Sequence, residues 1–202
     1  MSSVGAAVIL AGGENRRYPK LKAFIEIDGQ TIIERSIALL RERFASVMIS
    51  TNRPEAFFRF GLPMIGDVLL SRGPMCGMHA ALKHIGSGAA LFIACDMPFV
   101  NPKVIDLLCS RHQEAVSATI PVFDGRPQPL LGVYSAALVP ALESAVLSDR
   151  VQLWRFLEAA GAVYLPEDEV KKVDAQGLSF VNINTVADHA EAVARSLEAG
   201  TS

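Results

Sequence analysis

Two adjacent glycines followed by a basic stretch are the first residues in the chain that could do chemistry. The segment from Gly12 to Lys22 reads GGENRRYPKLK and ends with four cations within seven residues. Glycines let a backbone come close to a ligand and present bare N–H groups to it. Arg and Lys side chains neutralise phosphate oxygens. The pattern indicates a phosphate-binding loop, and a turn followed by a solvated basic loop is the alternative.

Two familiar nucleotide motifs do not fit this loop. It lacks the Gly-Lys-Ser/Thr of the P-loop NTPases. It also lacks Gly-x-Gly-x-x-Gly, and the next predicted strand is followed by Asn52, where a dinucleotide site would carry an acid. A nicotinamide-dependent dehydrogenase is therefore disfavoured.

A carboxylate follows the second strongly apolar run of the chain. Asp96 stands directly after the run 89–95, at the expected tip of a buried strand. Magnesium prefers carboxylate and phosphate oxygens, and a single carboxylate with waters and phosphates makes an ordinary site for it. Asp96 is therefore the candidate Mg²⁺ ligand, with capping of the turn at Met97-Pro98 as the structural alternative.

Other polar residues and glycines also follow predicted strands or open a predicted helix. The segment Gly73–Gly77 leads into a helix, whose free amides could hold an anion. In open α/β sheets, ligands bind beyond the carboxyl ends of the strands, so these positions should converge on one edge. The strand-end candidates are Leu10, Ala11, Gly12, Gly13, Thr51, Asn52, Asp67, Cys95, Asp96, Asn182 and Asn184.

The elements that must position these residues follow from the hydrophobic pattern. Short apolar runs alternate with amphipathic stretches, which predicts an α/β fold: a three-layer sandwich with a mainly parallel, Rossmann-like sheet and helices on both faces. A hairpin-like middle predicts one or two antiparallel strands. Predicted strands cover 6–11, 47–50, 63–66, 91–95, 116–122, 130–134 and 179–183. Predicted helices cover 32–44, with a capping box at Thr31 and Glu34, then 55–60, 77–85, a helix starting at Asn101-Pro102, 136–147, 153–160 and 186–199.

Composition limits the class of protein further. The 202 residues are 50% hydrophobic and 20% charged with a net charge of −2, which fits one globular domain over residues 1–202 and no nucleic-acid partner. The apolar runs are too short to span a bilayer, so no membrane partner is expected. Three cysteines without a Cys-x-x-Cys pair predict a reducing, cytoplasmic location. The four histidines form no metal-like pair, and no Gly-x-Ser-x-Gly elbow is present.

Five motifs, in order along the chain, resemble those of the molybdenum cofactor guanylyltransferases, within the GT-A-like nucleotidyltransferases. The family's opening Leu-Ala-Gly-Gly-x-Ser-x-Arg-Met-Gly-x-Asp-Lys is similar to LAGGENRRYPKLK, and its Gly-Pro-Leu-Ala-Gly is similar to GPMCG. Its Cys-Asp-x-Pro-Phe appears as CDMPF, its Gln-Pro-Leu…Val-Tyr as QPLLGVY, and its Asn-x-Asn-Thr as NINT. The resemblance implies the nucleotide-diphospho-sugar transferase type of fold.

The same resemblance implies an activity and its residues. It implies transfer of GMP from GTP to the phosphate of molybdopterin, with release of pyrophosphate and with Mg²⁺ as cofactor. Proteins that deliver molybdopterin or accept the product are further expected partners. The implied roles are guanine-nucleotide contact for Leu10, Ala11, Gly12 and Gly13; phosphate binding and catalysis for Lys22 and Arg17; base or ribose contact for Asn52 and Asp67; Mg²⁺ for Asp96; and the molybdopterin side for Gly73, Gly77, Asn182 and Asn184.

The chain departs from the family pattern within the basic loop. Asn15 replaces Ser, Tyr18-Pro19 replaces Met-Gly and Leu21 replaces Asp. Pro19 has no amide proton to offer a phosphate and fixes its own φ. Relatives that use CTP tend to read Leu-Ala-Ala-Gly, so Gly12-Gly13 favours guanine. The alternatives are a related nucleotidyltransferase that uses CTP or a sugar-phosphate acceptor, and a nucleotide-binding module without catalysis.

Overall fold

A computed structural model describes residues 4–12, 21–71, 73–183, 185, 188 and 190 of the chain. Three predicted site residues, Gly13, Arg17 and Asn184, lie outside the described residues. So does most of the predicted helix 186–199.

A mixed sheet forms the centre of the described structure. Its strand order is β10-β7-β9-β6-β1-β4-β5, with β8 paired to β7, and a separate hairpin is made by β2 and β3. The strands are β1 (Val4–Leu10), β2 (Glu26–Ile27), β3 (Gln30–Thr31), β4 (Ser46–Ser50), β5 (Met64–Ile65), β6 (Ala89–Ala94), β7 (Ala118–Phe123), β8 (Arg126–Pro127), β9 (Leu131–Ser135) and β10 (Val163–Leu165). Strand β1 runs parallel to β4 and β6, whereas β9 runs antiparallel to both β6 and β7.

Helices cover both faces of this sheet. They are α1 (Ile32–Arg41), α2 (Pro54–Phe57), α3 (Pro74–Ile85), α4 (Pro102–Arg111), α5 (Val139–Leu147), α6 (Leu153–Ala159) and α7 (Glu167–Lys171), with 3₁₀ turns at Lys22–Phe24, Phe58–Phe60, Ala136–Leu138 and Leu178–Phe180. Alternate residues of β1 enter opposite cores: Ile9 packs in the core that includes α1 and α4, and Val8 in the core that includes α3 and α5. The predicted three-layer α/β fold is therefore confirmed.

Two predicted helix starts are confirmed by their caps. The Thr31 hydroxyl accepts a hydrogen bond from the Glu34 amide, and the Glu34 carboxylate accepts one from the Thr31 amide at 2.9 Å. At α4, the Asn101 side chain accepts a hydrogen bond from the Lys103 amide at 2.9 Å, with Pro102 in the first helical position. These contacts satisfy amides that the first turn of each helix leaves without a backbone partner.

The predicted strand at 179–183 is wrong. The segment forms a 3₁₀ turn at Leu178–Phe180 and then an irregular stretch. The reason is that its first backbone donors are used locally: the Ser179 amide donates to the Asp174 carboxylate at 2.9 Å, and the amides of Phe180 and Val181 donate to the carbonyls of Gly177 and Leu178 at 3.0 and 3.2 Å. Gly177, with φ +64°, turns the chain immediately before.

Sequence patterning also missed short elements. The β2–β3 hairpin turns at Asp28-Gly29, both with positive φ, which is the tight turn that Asp-Gly favours. Strand β10 and helix α7 span three and five residues, too few for a clear period. No helix among the described residues is long and apolar enough to cross a membrane.

Gly177 gives a test of the turn that leads to Asn182. A Cβ at this position would lie 2.2 Å from Cε1 of Phe123, whereas a Cβ at Gly161, with φ +70°, would meet nothing within 4 Å. We expect Gly161→Ala to cost about 1–2 kcal/mol for the left-handed backbone alone. Gly177→Ala should cost about 1–3 kcal/mol more because it also overpacks the Phe123 ring. Urea unfolding measures both, and equal losses would contradict the described turn.

Candidate active site

The central parallel strands bring three chain segments to one edge of the sheet. Leu10, the last residue of β1, lies opposite Ser50 of β4 on one side and Ala94 of β6 on the other. The backbone continues this pairing, since the Ala11 amide donates to the Ser50 carbonyl at 2.8 Å and the Cys95 amide to the Leu10 carbonyl at 3.1 Å. The segments that follow the three strands must therefore emerge together.

A cavity of about 270 Å³ opens at this edge. Its lining joins the ends of β1, β4 and β6 to the start of α3 and to the turn before β9. The lining residues are Leu10, Gly12, Lys22, Ser50, Asp67, Gly73, Pro74, Gly77, Ala94, Cys95, Asp96 and Leu130.

Most of the predicted site residues that the structure describes line this cavity. Three of the predicted site residues, Ala11, Asn52 and Asn182, do not line it, and neither does the strand-end candidate Thr51. The Ala11 amide is bonded to the Ser50 carbonyl, Asn52 contacts the cavity residue Asp67, and Asn182 precedes Ile183, whose amide is bonded to the Asp96 carbonyl. Sequence analysis did not select Ser50 or Leu130 as site residues. Ser50 is the last residue of β4, within a strand predicted to be core. Leu130 precedes β9, which runs antiparallel to β6.

A cation and a carboxylate from distant parts of the chain meet over the cavity. Lys22 Nζ lies 2.9 Å from Asp96 Oδ2, and the two side chains are 22% and 17% exposed. Lys22 begins a 3₁₀ turn after the basic loop, and Asp96 follows β6. A charged pair this well shielded from solvent is costly to hold unless the charges serve each other or a ligand.

A second pair links the ends of β4 and β5. The Asn52 side-chain amide donates to the Asp67 carboxylate at 2.7 Å, and the Asp67 backbone amide donates to Asn52 Oδ1 at 2.8 Å. This closed pair fixes the Asp67 side chain at the wall of the cavity. It leaves further carboxylate oxygen capacity for a ligand, since a carboxylate offers about four acceptor sites.

The start of α3 forms another wall. Gly73, with φ +107°, precedes Pro74 in the first helical position, so the helix begins at the cavity. At Gly77 a Cβ would lie only 2.5 Å from Ser50 Oγ, so the glycine permits the first turn of α3 to pack on the end of β4. The amino end of this twelve-residue helix is electropositive and favours an anion.

The irregular segment after the last 3₁₀ turn also approaches this edge. The Ile183 amide donates to the Asp96 carbonyl at 3.0 Å, which fixes Asn182 near Asp96 although no strand is present. Asn182 Oδ1 is buried, and no donor among the described residues hydrogen-bonds to it. A buried amide oxygen without a partner is uncommon and calls for an unseen donor, such as a ligand.

The thiols near the site are poor nucleophiles. Burial, with a smaller contribution from Asp96, raises the pKa of Cys95 to about 12, and burial with Asp67 raises the pKa of Cys76. The described residues contain no cluster of three His, Cys, Asp or Glu side chains that could hold a metal without help from a ligand. The arrangement suits charge neutralisation at phosphate rather than covalent catalysis.

Cysteine reactivity tests this description of the site. At pH 8 a thiol with a pKa near 12 is ionised only to roughly one part in ten thousand, and the thiolate is the reactive form. Cys95, and also Cys109, whose pKa burial raises to about 12, should therefore resist iodoacetamide in the folded protein and react in guanidinium. Peptide mass spectrometry measures the labelling, and rapid alkylation of folded Cys95 would contradict its burial.

Comparison with known proteins shows the family to which the chain belongs. The chain matches the family described as MobA-like NTP transferase domain over residues 7–163. It is 32% identical to a probable molybdenum cofactor guanylyltransferase from Pelotomaculum thermopropionicum, covering 90% of this chain and 88% of that one. It is also 32% identical to a protein of the same name from Clostridium perfringens, covering 93% and 96%.

A solved structure agrees with both matches. The crystal structure of molybdopterin-guanine dinucleotide biosynthesis protein A from Archaeoglobus fulgidus superposes with a TM-score of 0.82 at 28% identity, covering 96% of this chain and 99% of that one. The mostly parallel sheet flanked by helices is thus the fold of a nucleotidyltransferase. The chain belongs to the MobA-like NTP transferase domain family.

Proposed function

We propose that the protein transfers GMP from GTP to the phosphate of molybdopterin and releases pyrophosphate. The observation that carries the proposal is the Lys22–Asp96 pair over a cavity walled by the ends of β1, β4 and β6. The relatives named molybdenum cofactor guanylyltransferase, at about one-third identity over most of the chain, support guanine and molybdopterin as the substrates.

The proposed guanine nucleotide lies along the end of β1. Leu10, Ala11, Gly12 and Gly13 contact it, with Asn52 and Asp67 at its base or ribose. Gly12 supports this placement, because a Cβ there would lie within 4 Å of no atom of the described residues. The fixed Asn52–Asp67 pair supports a polar contact of defined direction, because each side chain already holds the other.

Lys22 and Arg17 are the proposed phosphate ligands. In the reaction, an oxygen of the molybdopterin phosphate attacks the α-phosphorus of GTP, and the bond from that phosphorus to the bridging oxygen of the pyrophosphate breaks. The attacking phosphate is already ionised near neutral pH, so positioning and charge neutralisation matter more than a strong base. The Lys22 ammonium, shielded in the cavity, stabilises charge on the transferring and leaving phosphates.

Asp96, which lines the cavity, is the proposed ligand of Mg²⁺. One carboxylate, completed by substrate phosphates and water, fits the hard oxygen donors that Mg²⁺ takes. When bound, the ion would neutralise phosphate charge and hold the phosphate oxygens in place. Lys22 donates a hydrogen bond to the Asp96 carboxylate and so holds this carboxylate at the cavity.

The proposed molybdopterin side is formed by Gly73, Gly77, Asn182 and Asn184. The buried Oδ1 of Asn182, which accepts no hydrogen bond from the part of the chain that the structure describes, supports this assignment because a pterin offers several N–H donors. We also propose that residues 1–202 act as one nucleotidyltransferase domain, consistent with the family match over residues 7–163. Proteins that deliver molybdopterin or accept the product remain part of the proposal.

Calorimetric nucleotide binding is the first test. We expect GTP to bind with Mg²⁺ present and more tightly than CTP or UTP. Lys22→Ala should weaken GTP binding by roughly ten- to a hundredfold, as expected for a lost hydrogen bond between charged groups. Lys103→Ala, which removes an exposed lysine from α4, is the matched control and should bind as wild type.

Three results would change the proposal. Equal affinity for GTP and CTP would remove the case for guanine. Tight GTP binding without pyrophosphate release when molybdopterin is supplied would favour a binding module. An unchanged affinity in Lys22→Ala would contradict its role as a phosphate ligand.

Asp96→Asn separates catalysis from folding. The amide keeps the shape of the side chain but removes the charge that would hold Mg²⁺, so turnover should fall by about 10²–10³-fold or more. Circular dichroism and thermal unfolding should remain close to wild type, since the strand before it is unchanged. Asp106→Asn, which neutralises the exposed partner of Arg43, is the control. Near-normal turnover by Asp96→Asn would refute the metal assignment.

A further inference from the structure

The turn that carries Lys22 is fixed by an aromatic cluster outside the cavity. Phe24, two residues after Lys22 in the same 3₁₀ turn, stacks on Phe57 with ring centroids 5.2 Å apart and on Phe60 at 6.3 Å. Ala23 between them is 2% exposed and packs in the core. The backbone of Lys22 therefore has one direct anchor in the core and one in this cluster, which we call the Phe24 cluster (Phe24, Phe57, Phe60 and Arg59).

A cation covers the cluster on its solvent side. The Arg59 guanidinium carbon lies 5.0 Å from the centroid of the Phe24 ring and 4.9 Å from that of Phe60. These distances suit cation–π attraction to both rings. Arg59 thus links the rings of Phe24 and Phe60, which come from two separate segments of the chain.

The second of those segments follows the end of β4. Asn52 leads through Arg53 directly into α2 (Pro54–Phe57) and the 3₁₀ turn Phe58–Phe60. The Phe24 cluster therefore joins the segment that carries Lys22 to the segment that carries Asn52. The first segment holds Lys22, the proposed phosphate ligand. The second holds Asn52, which is proposed to contact the base or the ribose of the nucleotide.

We propose that Phe24 is a positioning residue, which holds Lys22 at the triphosphate through its stack with Phe57 and Phe60, and that Arg59 tightens this anchor. The proposal rests on the proposed role of Lys22 as a phosphate ligand. Lys22 ends the basic segment, and the residues that follow it pack in the core and in the Phe24 cluster, so this packing helps to set the position of its ammonium. Small displacements of a charged group from its ligand are expensive, which gives this distant packing an effect on binding.

A double-mutant cycle tests the proposal by calorimetric GTP binding. If Phe24 acts through Lys22, Phe24→Ala should weaken GTP binding by roughly three- to tenfold in the wild-type protein and cause no further weakening in the Lys22→Ala protein. Phe44→Ala is the matched control. Phe44 is a buried ring in the same core and lies three residues after the end of α1. It should lower the unfolding temperature but leave GTP affinity unchanged.

Arg59→Gln is a milder variant, because it leaves the apolar core unchanged. It serves as the test if Phe24→Ala does not fold. It should weaken GTP binding by about two- to fivefold, the range expected from the loss of an exposed cation–π contact. Again the effect should vanish in the Lys22→Ala protein. An effect of Arg59→Gln that persists there would mean that Arg59 acts through its own charge on the nucleotide.

The outcomes are distinguishable. Additive losses from Phe24→Ala and Lys22→Ala, or a Phe44→Ala protein as weak in GTP binding as Phe24→Ala, would overturn the positioning role while leaving the phosphate role of Lys22 intact. A Lys22→Ala protein that binds GTP like the wild type would refute the proposed function of Lys22, and the positioning role with it.

Discussion

The register of three parallel strands is the constraint on which the site depends. Leu10 must stand between Ser50 and Ala94, because only then do residues 11–12, 51–52 and 95–96 leave the sheet at the same level. A shift of one residue would exchange the two faces of β1, which are both buried, and would place Val8 where Ile9 packs. Each face packs into a different core, so the fit of the particular buried side chains favours the pairing that brings the chemical groups together.

The charged groups at the site contribute little net free energy to the stability of the fold. Lys22 and Asp96 are mostly removed from water, and the attraction between such partners is offset by the loss of hydration. The stability of the fold instead comes from the two apolar cores, and the polar rim is free to serve a ligand.

The predictable features of this chain are those with strong local causes. The capping contacts of Thr31 and Asn101 depend on residues within three positions, so sequence alone was enough to locate the two helix starts. The long apolar run of β1 identified a strand buried on both faces. The ends of such strands also gave most of the residues that line the cavity, because parallel strands end at a common edge.

The errors have physical causes that lie outside a local window. The apolar pattern of 179–183 predicts a strand, but the Ser179 amide donates to Asp174 and the next two amides donate to carbonyls of the 3₁₀ turn. Ser50 and Leu130 became cavity residues only through packing of α3 on β4 and through the direction of β9. Arg59 and Phe24 are close only because α2 folds back beside the Lys22 turn. None of these contacts leaves a period or a motif in the sequence.

Because β9 runs antiparallel to its neighbours in the sheet, the walls of the cavity come from two kinds of chain connection. Parallel strands contribute the turns that leave them, whereas β9 contributes the turn that enters it, with Leu130 at its tip and the Ala94 amide bonded to the Leu130 carbonyl at 3.0 Å. One wall therefore comes from a hairpin connection between β7 and β9, and the opposite walls come from crossover connections. A hairpin loop can change in length and sequence without disturbing strand order. The hairpin wall can therefore vary in shape while the walls held by the register of the parallel strands stay as they are.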